Sequence, residues 1–168
     1  NSLISGVTGA QDELGSLLDQ SGVEFKGDGP LRQLSSQRLI VDPDYLGLYK
    51  IPLVNGHDFS KEKSARGKEY IINESLAREL LKDNPHADMS SLISKHFGFD
   101  SAGYIVGIAK DFNFNSLHYK IETMFLFNQQ EGGYFSNLSV KINGANSKKA
   151  IAFIKSVWNK NFPDIYFE

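Results

Sequence analysis

The stretch that most constrains this chain is residues 101–122, SAGYIVGIAKDFNFNSLHYKIE. Between Tyr104 and Ala109 it is an apolar run rich in β-formers and punctuated by glycine, which predicts a buried strand. Beyond Lys110 the composition changes to Asp111, Asn113, Asn115 and paired aromatics. Those residue types belong to a shaped loop into which a strand leaves its sheet. Nothing in the stretch resembles a catalytic apparatus, although His118 stands at its far end.

The remaining segments supply neighbours for that strand. Residues 70–81 read as a strand running straight into a helix, with Asn73 as the cap and Leu76, Leu80 and Leu81 as the buried face. Alternation predicts strands at residues 22–26 and 33–41 around the turn residues 27–30. Further strands are predicted at 123–127 and 138–142, separated by a turn at Glu131 and the two glycines after it. Asp42 followed by Pro43 predicts a short helix capped by Asp42. Asn55-Gly56 predicts a turn, and residues 59–68, charged from Lys61 on, an exposed loop. Residues 8–19 suggest a short helix with Leu14, Leu17 and Leu18 on one face, weakened by two glycines. The strongest helical signal starts at Asn146: Ala150, Ile151, Phe153, Ile154, Val157 and Trp158 recur at helical spacing, with lysines outside. Pro163 should stop that helix and Ile165 should begin a strand. The combination predicts an α+β fold, a mixed sheet with packed helices and room for two lobes.

Composition narrows the function classes. A chain of 168 residues is one domain's worth, and 23% charged with 40% hydrophobic residues is ordinary globular composition. A net charge of −2 predicts no broad attraction to nucleic acid or anionic lipid. Twelve Phe and seven Tyr predict a core and sheet faces filled with rings. The absence of cysteine removes disulfides, thiolate metal sites and cysteine nucleophiles. No run approaches the ~20 apolar residues of a membrane span. The first residue is Asn rather than Met, which reads as a processed protein or an excised part of one.

Candidate chemistry is sparse. His57, His86, His96 and His118 are far apart and form no i, i+4 pair. His57 and Asp58 together with Asp111 and His118 would make a metal site only if the fold gathered them. Asp42 and Asp44 have the look of an acid–base pair, but capping explains them more simply. Phosphate loops, nucleophile elbows and dinucleotide fingerprints are all missing. Phe112, Phe114 and Tyr119 between Lys110 and Lys120 have the composition of a nucleic-acid stacking surface, but the acidic net charge and the lack of a basic stripe stand against it.

Four segments taken in order resemble the MacB-like periplasmic core domain of the FtsX-type ABC transporter permeases, in the form found in Bacteroidota. They are VDPDYLGLYKIPLVNGHDFS at 41–60, YIINESLAR at 70–78, IVGIAKDFNFNSLH at 105–118, and the helix and strand start over residues 149–167. His57 stands where the family usually has arginine. Ser94, between Ile93 and Lys95, stands where it usually has glycine. Residues 1–20 match no part of the pattern.

The resemblance implies a single extracytoplasmic domain over residues 1–168, held between transmembrane helices of the same permease on the periplasmic side of the inner membrane. Such a domain has no catalytic residues, metal or cofactor of its own. ATP is bound by a separate cytoplasmic subunit or domain, within a dimeric transporter assembly that also engages periplasmic or outer-membrane partners. Asn55, His57, Asp58, Asp111, Asn113, Asn115 and His118 are then candidates for partner-contact loops, because contacts concentrate on loops rather than buried strands. The competing readings are a free-standing periplasmic metal-dependent hydrolase built on the His57/Asp58 and Asp111/His118 groups, and a solute-binding domain with a ligand-sized apolar pocket.

Overall fold

A computed structural model describes residues 3–62, 65, 67–99, 103–115, 120–128 and 135–167. The strands are β1 (Ile4–Ala10), β2 (Gln20–Lys26), β3 (Arg32–Val41), β4 (Leu53–Gly56), β5 (Glu69–Asn73), β6 (His96–Gly98), β7 (Gly103–Ala109), β8 (Met124–Asn128) and β9 (Asn137–Ile142). The helices are α1 (Tyr45–Tyr49), α2 (Glu74–Leu80) and α3 (Ser147–Asn161). The chain divides into a larger unit, Thr8–Leu138, and a smaller one made of the described residues on either side of it.

In the larger unit the strand pairings close on themselves. β2 pairs antiparallel with β3, β3 parallel with β8, β8 antiparallel with β5, and β5 parallel with β7. β7 then pairs antiparallel with β6, and β6 antiparallel with β2. β4 adds to β7, and β1 touches β3 at Ala10↔Val41. Two parallel pairs in one sheet require long crossover connections. The α+β, mixed-sheet reading therefore describes this unit.

Side-chain alternation sorts the ring into two cores. One gathers Val23, Phe25, Tyr70, Ile72, Phe97, Ile105, Ile108 and Phe125 with Leu76, Ala77 and Leu80 of α2. Its aromatic centre explains much of the phenylalanine content: Tyr70 stacks on Phe127 at 5.0 Å and meets Phe97 edge-on at 5.4 Å. Each such pair contributes about 0.5–1.5 kcal/mol beyond burial. The opposite face buries Leu39, Val41, Ile71, Val106 and Leu126 beneath Tyr45 and Leu46 of α1. The apolar run at 104–109 forms β7, buried at every position except Tyr104.

The step from β5 to α2 forms as its residues dictate. Asn73 Oδ1 accepts the Leu76 amide at 2.9 Å, and Leu76, Ala77 and Leu80 are buried. Other expectations need correction. Residues 8–10 are strand rather than helix, because Thr8 and Gly9 are tied laterally to Asp42. Leu14 and Leu17 are exposed instead of forming a buried face. Asp42 is no helix cap: its carboxylate accepts the Thr8 hydroxyl, the Gly9 amide and the Asp44 amide, fastening β1 to the approach to α1. Asn55 and Gly56 end a strand instead of making a turn. Gly56 has φ +74°, and a β-carbon there would run into the Val106 carbonyl, so the close approach of β4 to β7 demands glycine. Phe59, expected in the exposed loop, is buried. The turn expected at Glu131 lies outside the described residues.

In the smaller unit the first part of β1 lies beside β9. The Asn143 amide donates to the Leu3 carbonyl at 3.1 Å, and the Ser5 hydroxyl to the Lys141 carbonyl at 3.2 Å. α3 forms where predicted, but Asn146 makes no capping bond with its side chain. Of the apolar face only Ala150 is buried, and Ile151, Phe153 and Val157 are exposed. The chain then folds back on itself without forming a strand: Trp158 Nε1 donates to the Ile165 carbonyl at 2.9 Å and the ring meets Phe162 at 4.9 Å.

Candidate functional site

The two predicted loop groups flank the β4–β7 pair at different places. The His57 amide donates to Val106, alongside the middle of β7. The Lys110 amide donates to Pro52, beyond the other end of β4. At 3.4 Å per residue, His57 and Asp111 therefore lie roughly 17 Å apart along the sheet. That exceeds any shared metal shell. Among the described residues no group of three or more metal-ligating side chains converges. His118 lies outside the described residues.

Each group has its own chemistry. His57 is exposed, and its Nδ1 sits 2.8 Å from the Asp58 carbonyl oxygen. Asp58 accepts the Phe59 amide at 2.8 Å. Burial pushes the Asp58 carboxyl above the usual range; the Phe59 amide opposes this, nearby Asp44 adds to it, and Lys61 and His57 pull the other way. Asn55 is half-buried in β4, opposite Ile108.

Asp111 is committed to the start of α2. One carboxylate oxygen accepts the Ser75 amide at 2.9 Å, and the other accepts the Ser75 hydroxyl at 2.8 Å. Arg78 adds an ion pair at 3.0 Å, and the Asp111 amide donates to Glu74 at 2.9 Å. A carboxylate there satisfies an orphan helix amide and complements the positive end of the helix. Beyond it Asn113 is exposed, Asn115 is half-buried, and Phe114 is buried between them.

Among the described residues of the larger unit, two clefts hold several hundred Å³ each. One, of about 500 Å³, lies between the 27–30 turn and the end of α2, with Phe25, Leu80 and Leu92 among its walls. Its cations are engaged: Arg32 donates to the Leu80 and Glu79 carbonyls, and Lys95 pairs with Asp28. The other, of about 410 Å³, adjoins Gly22, Val23, Leu34 and Phe99.

This arrangement of strands has counterparts among solved structures. The extracellular domain of the ABC-type transporter YknZ from Gram-positive bacteria matches with a TM-score of 0.61 at 11% identity, over 95% of this chain and 77% of that one. The periplasmic region of MacB from Actinobacillus actinomycetemcomitans matches at 0.58 and 15% identity, over 94% and 69%. A permease domain from Porphyromonas gingivalis matches at 0.62 and 17% identity, over 96% and 71%. The fold is that of a MacB-type periplasmic domain. In sequence, no family model and no curated protein matches the chain.

Sequence reasoning missed both clefts. Arg32 and Lys95 gave no signal, being isolated cations in polar segments. Gly22 gave a weak one, since glycine inside a strand pattern marks a bulge or a close backbone approach.

Proposed function

We propose that this chain is the extracytoplasmic domain of an ABC transporter permease, a non-catalytic module that couples ATP hydrolysis across the membrane to export or to activation of a partner. The observation that supports this is structural similarity over 94–96% of the chain to three domains of permeases and transporters of that type. In this reading the domain sits on the periplasmic face of the inner membrane, joined to transmembrane helices of its own permease. ATP is bound by a separate cytoplasmic subunit, and the domain carries no cofactor. The permease works as a dimeric assembly with a periplasmic or outer-membrane partner. Asn55, His57, Asp58, Asn113 and Asn115 are its candidate contact positions, whereas Asp111 serves the fold. Among the described residues no helix is long and apolar enough to cross a membrane.

Protease added outside spheroplasts tests the topology. A tagged domain in its native permease should be cut from outside, and full protection would overturn the assignment. Absence of catalysis is checked on the purified chain with generic ester, phosphate and peptide substrates and by metal analysis. Saturable turnover lost in Asp111→Ala, or stoichiometric zinc, would replace the module by a hydrolase.

A further inference from the structure

β2 is paired from Gln20 to Phe25 on one side only. It meets β3 from Gln20↔Gln37 to Phe25↔Arg32, but meets β6 only from Glu24↔Gly98 to Lys26↔His96. The cause lies at Gly98. Its φ is +125°, a backbone conformation open to glycine, and a β-carbon there would strike the Tyr70 ring. The chain turns inward at that point. The next amide, that of Phe99, donates to the Tyr70 hydroxyl at 3.3 Å instead of to β2. Among the described residues, β2 upstream of Glu24 has no strand on its second edge.

The direction of the free groups follows from the ladder. The Arg38 amide donates to the Asp19 carbonyl at 2.9 Å, which fixes the odd-numbered residues of this segment as those bonding to β3. In an antiparallel pair the alternate residues then face the other edge. Gln20 and Gly22 therefore direct their N–H and C=O groups outward, and both are exposed. A β-carbon at Gly22 would find nothing within 4 Å, so the sheet face at that position is open. The segment Gln20-Ser21-Gly22-Val23 carries no lysine or proline, residues with which natural edges guard themselves.

Donor and acceptor groups repeating every second residue, roughly 7 Å apart, are matched by another extended backbone. Beside them the 410 Å³ cleft offers Val23, Leu34 and Phe99 as apolar walls. Strand addition uses this combination: main-chain hydrogen bonds for affinity and a pocket for an alternate side chain.

We propose that the open edge of β2 at Gln20 and Gly22 receives an extended segment of a partner polypeptide as an added strand, seating one aliphatic side chain against Val23, Leu34 and Phe99. The proposal does not depend on the permease reading. The test is a titration of the ¹⁵N-labelled chain with a capped hexapeptide of alternating valine and threonine, and with the same peptide N-methylated once on each edge. The Gln20 and Gly22 amides should shift and exchange at least about tenfold more slowly with the first peptide. They should not respond to the second. Gly22→Pro removes the outward N–H without removing a β3 bond, and should abolish the response while keeping the far-UV spectrum. Should that variant fail to fold, the methylated peptide decides alone. No response at millimolar peptide, or equal responses to both peptides, overturns the proposal. So does a dimer of the chain in which the Gly22 amide is already protected, since a second copy would then own the edge.

Discussion

Replacing Asp111 by alanine should weaken the fold rather than remove a contact surface. The carboxylate holds the Ser75 amide and hydroxyl at the first turn of α2 and an ion pair with Arg78. Hydrogen bonds to a charged group contribute about 1.5–3 kcal/mol. Its charge near the positive end of a helix adds about 0.3–1 kcal/mol. Arg78 is half exposed, so its ion pair contributes less than about 1 kcal/mol. These overlap, and the net loss for Asp111→Ala should be about 2–3 kcal/mol. With a urea slope of about 2 kcal/mol per molar, the midpoint falls by about 1 M. Trp158 is the only tryptophan and belongs to the smaller unit, so the transition is better followed by far-UV circular dichroism than by emission. Asp111→Asn keeps an acceptor for the Ser75 amide and should recover at least half of the loss. Arg78→Ala should cost less than about 1 kcal/mol. If Asp111→Ala lies within about 0.5 kcal/mol of the parent, the tether argument fails, and Asp111 returns to the list of candidate contact residues.

Three further outcomes are expected. Ser94 holds φ +64°, and left-handed backbone costs an L-residue about 1–2 kcal/mol. Glycine returns about half of that as unfolded-chain entropy, so Ser94→Gly should gain roughly 0.5–1 kcal/mol in urea titration; a lower midpoint would show that the serine side chain matters more than its backbone. Asp58 binds its proton more tightly folded than unfolded, so its share of stability is present at low pH. That share is lost as pH rises from about 4, the unfolded value, through the raised folded value. Asp58→Asn should flatten the stability–pH curve over that window, and an unchanged slope would refute the burial argument. Ile151→Lys with Val157→Lys on the exposed face of α3 should leave stability within about 0.5 kcal/mol per site, against about 2–5 kcal/mol for Leu126→Ala.

Legibility followed the range of the interactions. The β5–α2 step was readable because its signals are local: alternation, a capping Asn73 and leucines at helical spacing. β7 was readable because burial on both faces leaves an unbroken apolar run. The resemblance added the sequential order of segments but not the pairings. β1 was misread because the leucines at 14, 17 and 18 mimic a helical stripe, while the tie that makes residues 8–10 a strand comes from Asp42. The role of Asp111 was hidden for the same reason, since its partners lie on a helix that precedes it by more than thirty residues. α3 was correct as a helix and wrong as a core element. Periodicity reports that a face is apolar, and says nothing about what covers it.

The closed ring has a consequence for how the chain folds. β8 stands between β3, which it joins in parallel at Gln37↔Met124, and β5, which it joins antiparallel at Tyr70↔Phe127. It is a keystone in the order of synthesis as well as in space. Until residues 124–128 emerge, β3 and β5 each present an unpaired edge, with β5 buried at every position and β3 buried from Leu39 to Val41. Pairing over such a separation is slow to form. A chain stopped short of Met124 should therefore be an open, sticky sheet rather than a smaller version of this domain, and full-length chains should pass through that vulnerable state each time they are made.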